Sequence, residues 1–210
     1  MTFNISDFIA EINSNGTQSN SKYDILIPLP PVLVGKFNVR DGFNDVAFNE
    51  QAKILSMRCE QTMLPGVALR VINQNNRYGV GVLEKTPFSA GFTETSMMFV
   101  TDKNGNINSF WYARLNLIVN FADSNQLFGA PFKQYSMNYK DHYCTNITIN
   151  KYDEGGNKIQ TVVLNRAYPL SMNEQGLSWK DNDVTRTTVS LTFQDWYSEG
   201  NQIGVPTTEE

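Results

Sequence analysis

Near the end of the chain, apolar and polar residues alternate without a break: Val189, Leu191 and Phe193 against Thr188, Ser190, Thr192 and Gln194. A period of two places one set on each face of a β-strand; a helix would scatter both sets around its axis. The spacing predicts a long strand over Val184–Trp196, with one face on a core and the other on something polar. A second constraint lies just upstream. Strand-like runs Tyr143–Tyr152 and Lys158–Tyr168 flank Asp153-Glu154-Gly155-Gly156-Asn157, a hairpin signal. An antiparallel sheet is therefore required before any other element is read.

The remaining strands are shorter. Tyr23–Ile27 is stopped by Pro28, Pro30 and Pro31. Ile54–Met63 is cut by Leu64-Pro65-Gly66, which has proline and glycine at the central positions of a turn. Val67–Ile72 and Tyr78–Glu84 are joined by Asn73-Gln74-Asn75-Asn76, and a strand ending in Met97–Thr101 closes at Asp102-Lys103-Asn104-Gly105. Two helices interrupt the β pattern. Ser6 can cap a short one carrying Ile5, Phe8, Ile9 and Ile12. The second runs over Ile107–Phe121, where Ile107, Phe110, Trp111, Leu115, Ile118 and Phe121 recur at three- and four-residue spacing. The fold class is mainly β (β-rich α+β), antiparallel, with one α-helix and a short N-terminal helix. The expected organisation is an N-terminal helix and arm over 1–20, a β domain over 21–198 and a flexible tail over 199–210. Residues about 30–52, broken by Gly35, Asp41-Gly42 and Asn44, read as a long loop inserted in the β domain.

Chemistry is sparsely provided for. His142 is the sole histidine, read here as lying on a strand edge beside Asp141 and on one strand face with Cys144; no GxSxG elbow accompanies it, so no catalytic residue is assigned. One histidine and two cysteines, Cys59 and Cys144, are too few for a zinc site, so no metal site is assigned, and both thiols are expected to be reduced and partly buried. Gly79-Val80-Gly81 lacks a third glycine and a following helix, so no cofactor is expected. Asp153-Glu154, Asp181/Asp183 and Glu209-Glu210 fall in turns or the tail and read as solvated carboxylates. A net charge of −4 argues against tight nucleic-acid binding. No leader-like segment and no run of about 20 apolar residues is visible, so synthesis in a cytoplasm without membrane insertion is expected. A sugar-binding β-sandwich module is the alternative, with Trp111, Tyr112, Trp196 and Tyr197 as stacking groups.

The order of motifs resembles the tail tube protein family of contractile-tailed bacteriophages. Ile5-Ser6-Asp7-Phe8, Tyr23-Asp24-Ile25, Cys59-Glu60-Gln61-Thr62-Met63-Leu64-Pro65-Gly66, Arg77-Tyr78-Gly79, Phe92-Thr93-Glu94, the aromatic helix from Ile107, the Tyr152–Asn157 hairpin, Ala167-Tyr168-Pro169, Leu177-Ser178-Trp179 and Asp195-Trp196-Tyr197 carry it. The resemblance implies an antiparallel β-sandwich or barrel tail-tube fold with one flanking α-helix, whose hexameric rings stack into a virion tube, made in a host bacterial cytoplasm, through which DNA passes without specific binding. Tube, baseplate and sheath proteins are the implied neighbours. The insertion at 30–52 favours the ring that starts the tube at the baseplate over the repeating subunit, with a tube terminator third. Contacts between rings or subunits are expected from Tyr78, Val80, Val82, Leu83, Phe88 and Phe92, and from Phe8 and Ile12 of the N-terminal helix.

Overall fold

The computed structural model describes residues 20–33, 54–74, 83–121, 136–176, 179 and 183–199. The expected N-terminal helix with Phe8 and Ile12, most of the 30–52 insertion, Tyr78, Val80, Val82 and the tail after Glu199 lie outside the described residues. Nine strands are described: β1 (Tyr23–Leu26), β2 (Cys59–Thr62), β3 (Val67–Gln74), β4 (Glu84–Phe92), β5 (Thr95–Val100), β6 (Thr145–Tyr152), β7 (Lys158–Met172), β8 (Arg186–Thr192) and β9 (Asp195–Glu199). Two helices stand between β5 and β6: α1 (Asn106–Ile118) and the short α2 (Lys140–Tyr143).

One antiparallel sheet runs β1-β6-β7-β8-β5-β2, with β9 also on β7. Its spine is β7, and the spine bends. The first half of β7 pairs with β6 and β9, the second with β8. At the bend, Arg166 takes a left-handed conformation (φ 51°) inside a β-bulge, and its N–H is satisfied by Asn146 Oδ1 at 3.0 Å. A bulge is how a strand turns the corner between two sheet layers. The partner strand bends at the same place. Thr192 pairs with Tyr168 and Asp195 with Asn165, three residues on each side, so β8 and β9 are one strand kinked at Phe193–Gln194. The alternation over Val184–Trp196 is thus realised in two pieces.

Curling brings the ends of the sheet, β1 and β2, together. Side chains rather than a ladder clasp the seam: Tyr23 Oη donates to Cys59 O at 3.0 Å, and Ile25 N–H to Ser56 Oγ at 3.1 Å. Inside the curl, Ile25, Ile147, Ile149, Leu164, Met97, Phe99, Val189 and Leu191 are buried. Helix α1 closes the core with Ile107, Phe110, Trp111 and Leu117; the Trp111 ring lies 5.4 Å from that of Phe99. Asp102 starts this helix by accepting the Ile107 N–H at 3.2 Å, a carboxylate placed at a helix N-terminus.

Three expectations are corrected. Residues 54–57 form a helical turn, so the strand predicted over Ile54–Met63 is only Cys59–Thr62. Ser56 holds that turn to β1, and a short apolar run such as Ile54-Leu55 does not distinguish helix from strand. Lys140–Tyr143 is helical, which takes His142 off the strand edge and off a shared strand face with Cys144. Leu83 lies outside any strand and the partner of β3 runs from Glu84 to Phe92, past the end of the predicted Tyr78–Glu84 strand, whose residues 78–82 lie outside the described residues.

Candidate interaction surface

The β3–β4 pair is a ribbon of its own, outside the main sheet. Its register shows where it comes from. Thr62 pairs with Met97 in β2–β5, and Val67 pairs with Phe92 in β3–β4, five residues further along both strands. Met63 N–H to Ser96 O (3.1 Å) and Thr93 N–H to Gly66 O (3.3 Å) keep that register across the gap. β2–β3 and β4–β5 are therefore one long hairpin whose far half leaves the domain. The joint lies at Leu64-Pro65-Gly66 opposite Thr93-Glu94. Pro65 has no N–H to give, and threonine hydroxyls replace the ladder: Thr93 Oγ1 accepts from Gly66 N–H at 3.1 Å, and Thr95 Oγ1 donates to Met63 O.

Alternation along the ribbon sorts its side chains. Val67, Leu69 and Val71 share a face with their partners Phe92, Ala90 and Pro87. Ala68, Arg70 and Ile72 share the other with Gly91, Ser89 and Thr86. A bulge between Arg70 and Val71 leaves Phe88 as the extra residue of β4. Nothing covers the apolar face among the described residues: Leu69 is 64% exposed, and Val67 and Val71 about half. At the base, Phe92 meets Phe193 of the main sheet with ring centroids 6.3 Å apart.

Of the residues expected to make contacts, Leu83, Phe88 and Phe92 are exposed along this ribbon. Tyr78, Val80 and Val82, like Phe8 and Ile12, lie outside the described residues. The β3 half of the exposed face, Val67, Leu69 and Val71, was not among the expected contact residues. Its signal was the alternation resuming just after Pro65-Gly66.

The remaining chemistry-bearing groups are held structurally. Arg114, on α1, is buried; its Nη2 donates to Thr145 Oγ1 at 2.8 Å and its guanidinium lies 5.6 Å from the Trp111 ring centroid. Burial pulls its pKa down to about 10. Burial also pushes the Cys59 thiol up to about 12 and holds Cys144 above the usual thiol range, so neither is poised as a thiolate nucleophile. His142 sits edge-on to Tyr139, with ring centroids 5.9 Å apart. Outside the core, the outward residues of β8 are Thr188, Ser190 and Thr192, a row of hydroxyls. It ends at an exposed ion pair in which Arg186 Nε donates to Glu60 Oε2 at 2.6 Å, holding that carboxylate below its ordinary pKa.

A curled antiparallel sheet, one helix against it and a long hairpin thrown outward fit a family model described as phage tail tube protein, which matches residues 18–199. The chain belongs to the phage tail tube protein family. Solved structures share the fold of this family member. A chain from the sheath–tube complex of an extracellular contractile injection system in its extended state is 12% identical, with a TM-score of 0.54, covering 91% of this chain and 97% of that one. A chain from the baseplate of the anti-feeding prophage is 13% identical, with a TM-score of 0.56, covering 88% and 97%. A chain from the sheath/tube terminator of the extracellular injection system is 10% identical, with a TM-score of 0.55, covering 87% and 96%. None of the curated proteins compared with the sequence matches it.

Proposed function

We propose that this tail tube protein is a ring-forming subunit: six copies join sheet to sheet, and the rings stack into a hollow tube of a contractile virion tail. The observation that carries this reading is the exposed apolar ribbon β3–β4. A two-stranded ribbon is marginal on its own in water, and one with an apolar face needs a partner surface. On a tail tube fold, that partner is another copy. Ring closure would also consume strand edges that otherwise invite uncontrolled pairing.

The work of such a tube is geometric and electrostatic, not catalytic. In this reading the hydroxyl row Thr188, Ser190 and Thr192 faces the lumen, where uncharged polar groups hydrate the wall without holding phosphate. Six copies at −4 each give a ring charge of −24, which repels DNA and lets it pass during ejection. Tube, baseplate and sheath proteins are the neighbours.

Within the tube, the insertion at about 30–52 favours the baseplate ring that starts assembly, because that ring must grip non-identical neighbours. Trimming 34–52 should then leave a folded subunit that cannot initiate tails. Full-length tails from the trimmed protein would assign the repeating rings instead. The reading as a whole is tested by electron microscopy of the purified protein: rings or tubes support it, and monodisperse monomers at all concentrations contradict it.

A further inference from the structure

At the end of the β2–β5 pair away from the ribbon lies an open groove of 570 Å³, lined by Ile54, Met57, Arg58, Glu60 and Val100. Met57 is 72% exposed. The hydrogen bond from Thr101 N–H to Thr185 O (3.0 Å) fixes that neighbourhood. Groove and ribbon are opposite ends of the same two strands. Met57 and Arg58 lead into β2, and Val67 follows it; Val100 ends β5, and Phe92 precedes it. We infer that this groove is the seat for the ribbon of a second copy in the next ring, so that rings stack head to tail. The inference rests on the tube reading above and names the surface that receives the ribbon.

Three features support the match. A ribbon at one end and a groove at the other make a heterologous contact, which on repetition yields an open stack rather than a closed pair. The chemistry agrees: Val67, Leu69, Val71 and Phe92 would meet the apolar lining residues Ile54, Met57 and Val100, where an unbranched methionine can adapt to the ribbon's bulge. On the rim, Arg58 has no ion pair among the described residues, whereas Glu60 is already engaged by Arg186; on the ribbon, Glu84 likewise has none. Size then decides what assembles. One ribbon offers an apolar patch on the order of 300 Å², short of the roughly 1,000 Å² of a stable interface, while six around a ring exceed it. Single subunits stay apart, and closed rings stack.

The test uses two variants at exposed positions, assembled into rings separately. Met57→Glu spoils the groove and keeps the ribbon; Leu69→Glu spoils the ribbon and keeps the groove. Each alone should give rings with stacking reduced about tenfold or more, because a carboxylate is forced into an apolar contact. Mixed rings of the two kinds should form pairs and nothing longer, since only one functional ribbon–groove junction exists. Ile54→Glu, at another lining position, serves as a second groove variant and should behave like Met57→Glu. Normal tubes from both groove variants, or failure of the mixed rings to pair, would overturn the groove as the seat while leaving the tube reading intact. If the wild-type protein forms neither rings nor tubes, the tube reading fails and takes this inference with it.

Discussion

Arg114 is a cation buried against Phe110 and Trp111, with one hydroxyl acceptor, Thr145, and no carboxylate partner among the described residues. Such a charge costs more in desolvation than its contacts return. Arg114→Met, which keeps most of the volume, should leave stability unchanged or raise it by about 1–3 kcal/mol. Arg114→Ala should lose about 2–4 kcal/mol through the cavity it opens. Denaturant midpoints check both, and a loss of several kcal/mol on Arg114→Met would show that the cation has a charged partner. Cys59 and Tyr23 meet at the seam, where Tyr23 Oη donates to Cys59 O. Burial is the main cause that pushes each to about 12, from ordinary values of 9.0 and 10.0. The folded chain therefore holds both protons more tightly than the unfolded chain. Their contribution is whole below about pH 9 and is lost as pH rises toward about 12. Stability should fall along that alkaline limb, and the double variant Cys59→Ala, Tyr23→Phe should flatten it. An unchanged slope in denaturant titrations between about pH 9 and 12 would contradict the assignment.

The elements differ in how legible they were. Val189, Leu191 and Leu164 announce their strands because a curled sheet with a wet outer face keeps a strict period of two. Asp153–Asn157 announces its hairpin, since Gly156 adopts φ 83°, a conformation glycine takes without strain. β4 was hidden because Pro87 and Gly91 argue against a strand, and only a ribbon with two free edges tolerates both. The bend of β7 was hidden too. No glycine marks the bulge, and Arg166 bears the left-handed strain while pairing with Asp141. Arg166→Gly should keep the bulge and cost little, the relief of strain offsetting a weak exposed ion pair, whereas Arg166→Val should destabilise by about 1–3 kcal/mol. Thermal unfolding of the two variants separates these outcomes, and equal losses would mean that the left-handed turn stores no strain. For the exposed apolar ribbon, the sequence pointed to the Leu83–Phe92 side. It did not point to the Val67–Val71 side, because pairing register is set by three-dimensional neighbours and not by local pattern. Hydrogen exchange tests the ribbon as an element: amides of 67–74 and 84–92 should exchange far faster than those of β7 in the free subunit and become protected in tubes. Slow exchange in the free subunit would make the ribbon an ordinary self-supporting hairpin.

At the scale of the whole molecule, one hairpin links core to contact. Its near half, β2–β5, is sheet; its far half, β3–β4, is an arm; the joint between them is pinned by Thr93 and Thr95. This division lets a stable curled domain carry an apolar surface without burying it internally. Whether copies of this chain form stacked rings through that arm is decided by a cryo-electron microscopy reconstruction of the assembled protein. Sixfold rings are expected, with each β3–β4 ribbon lying between rings against Met57 and Val100 of the next copy and with Thr188, Ser190 and Thr192 facing the lumen. A reconstruction in which the ribbons point into solvent and the rings touch through other surfaces would contradict it.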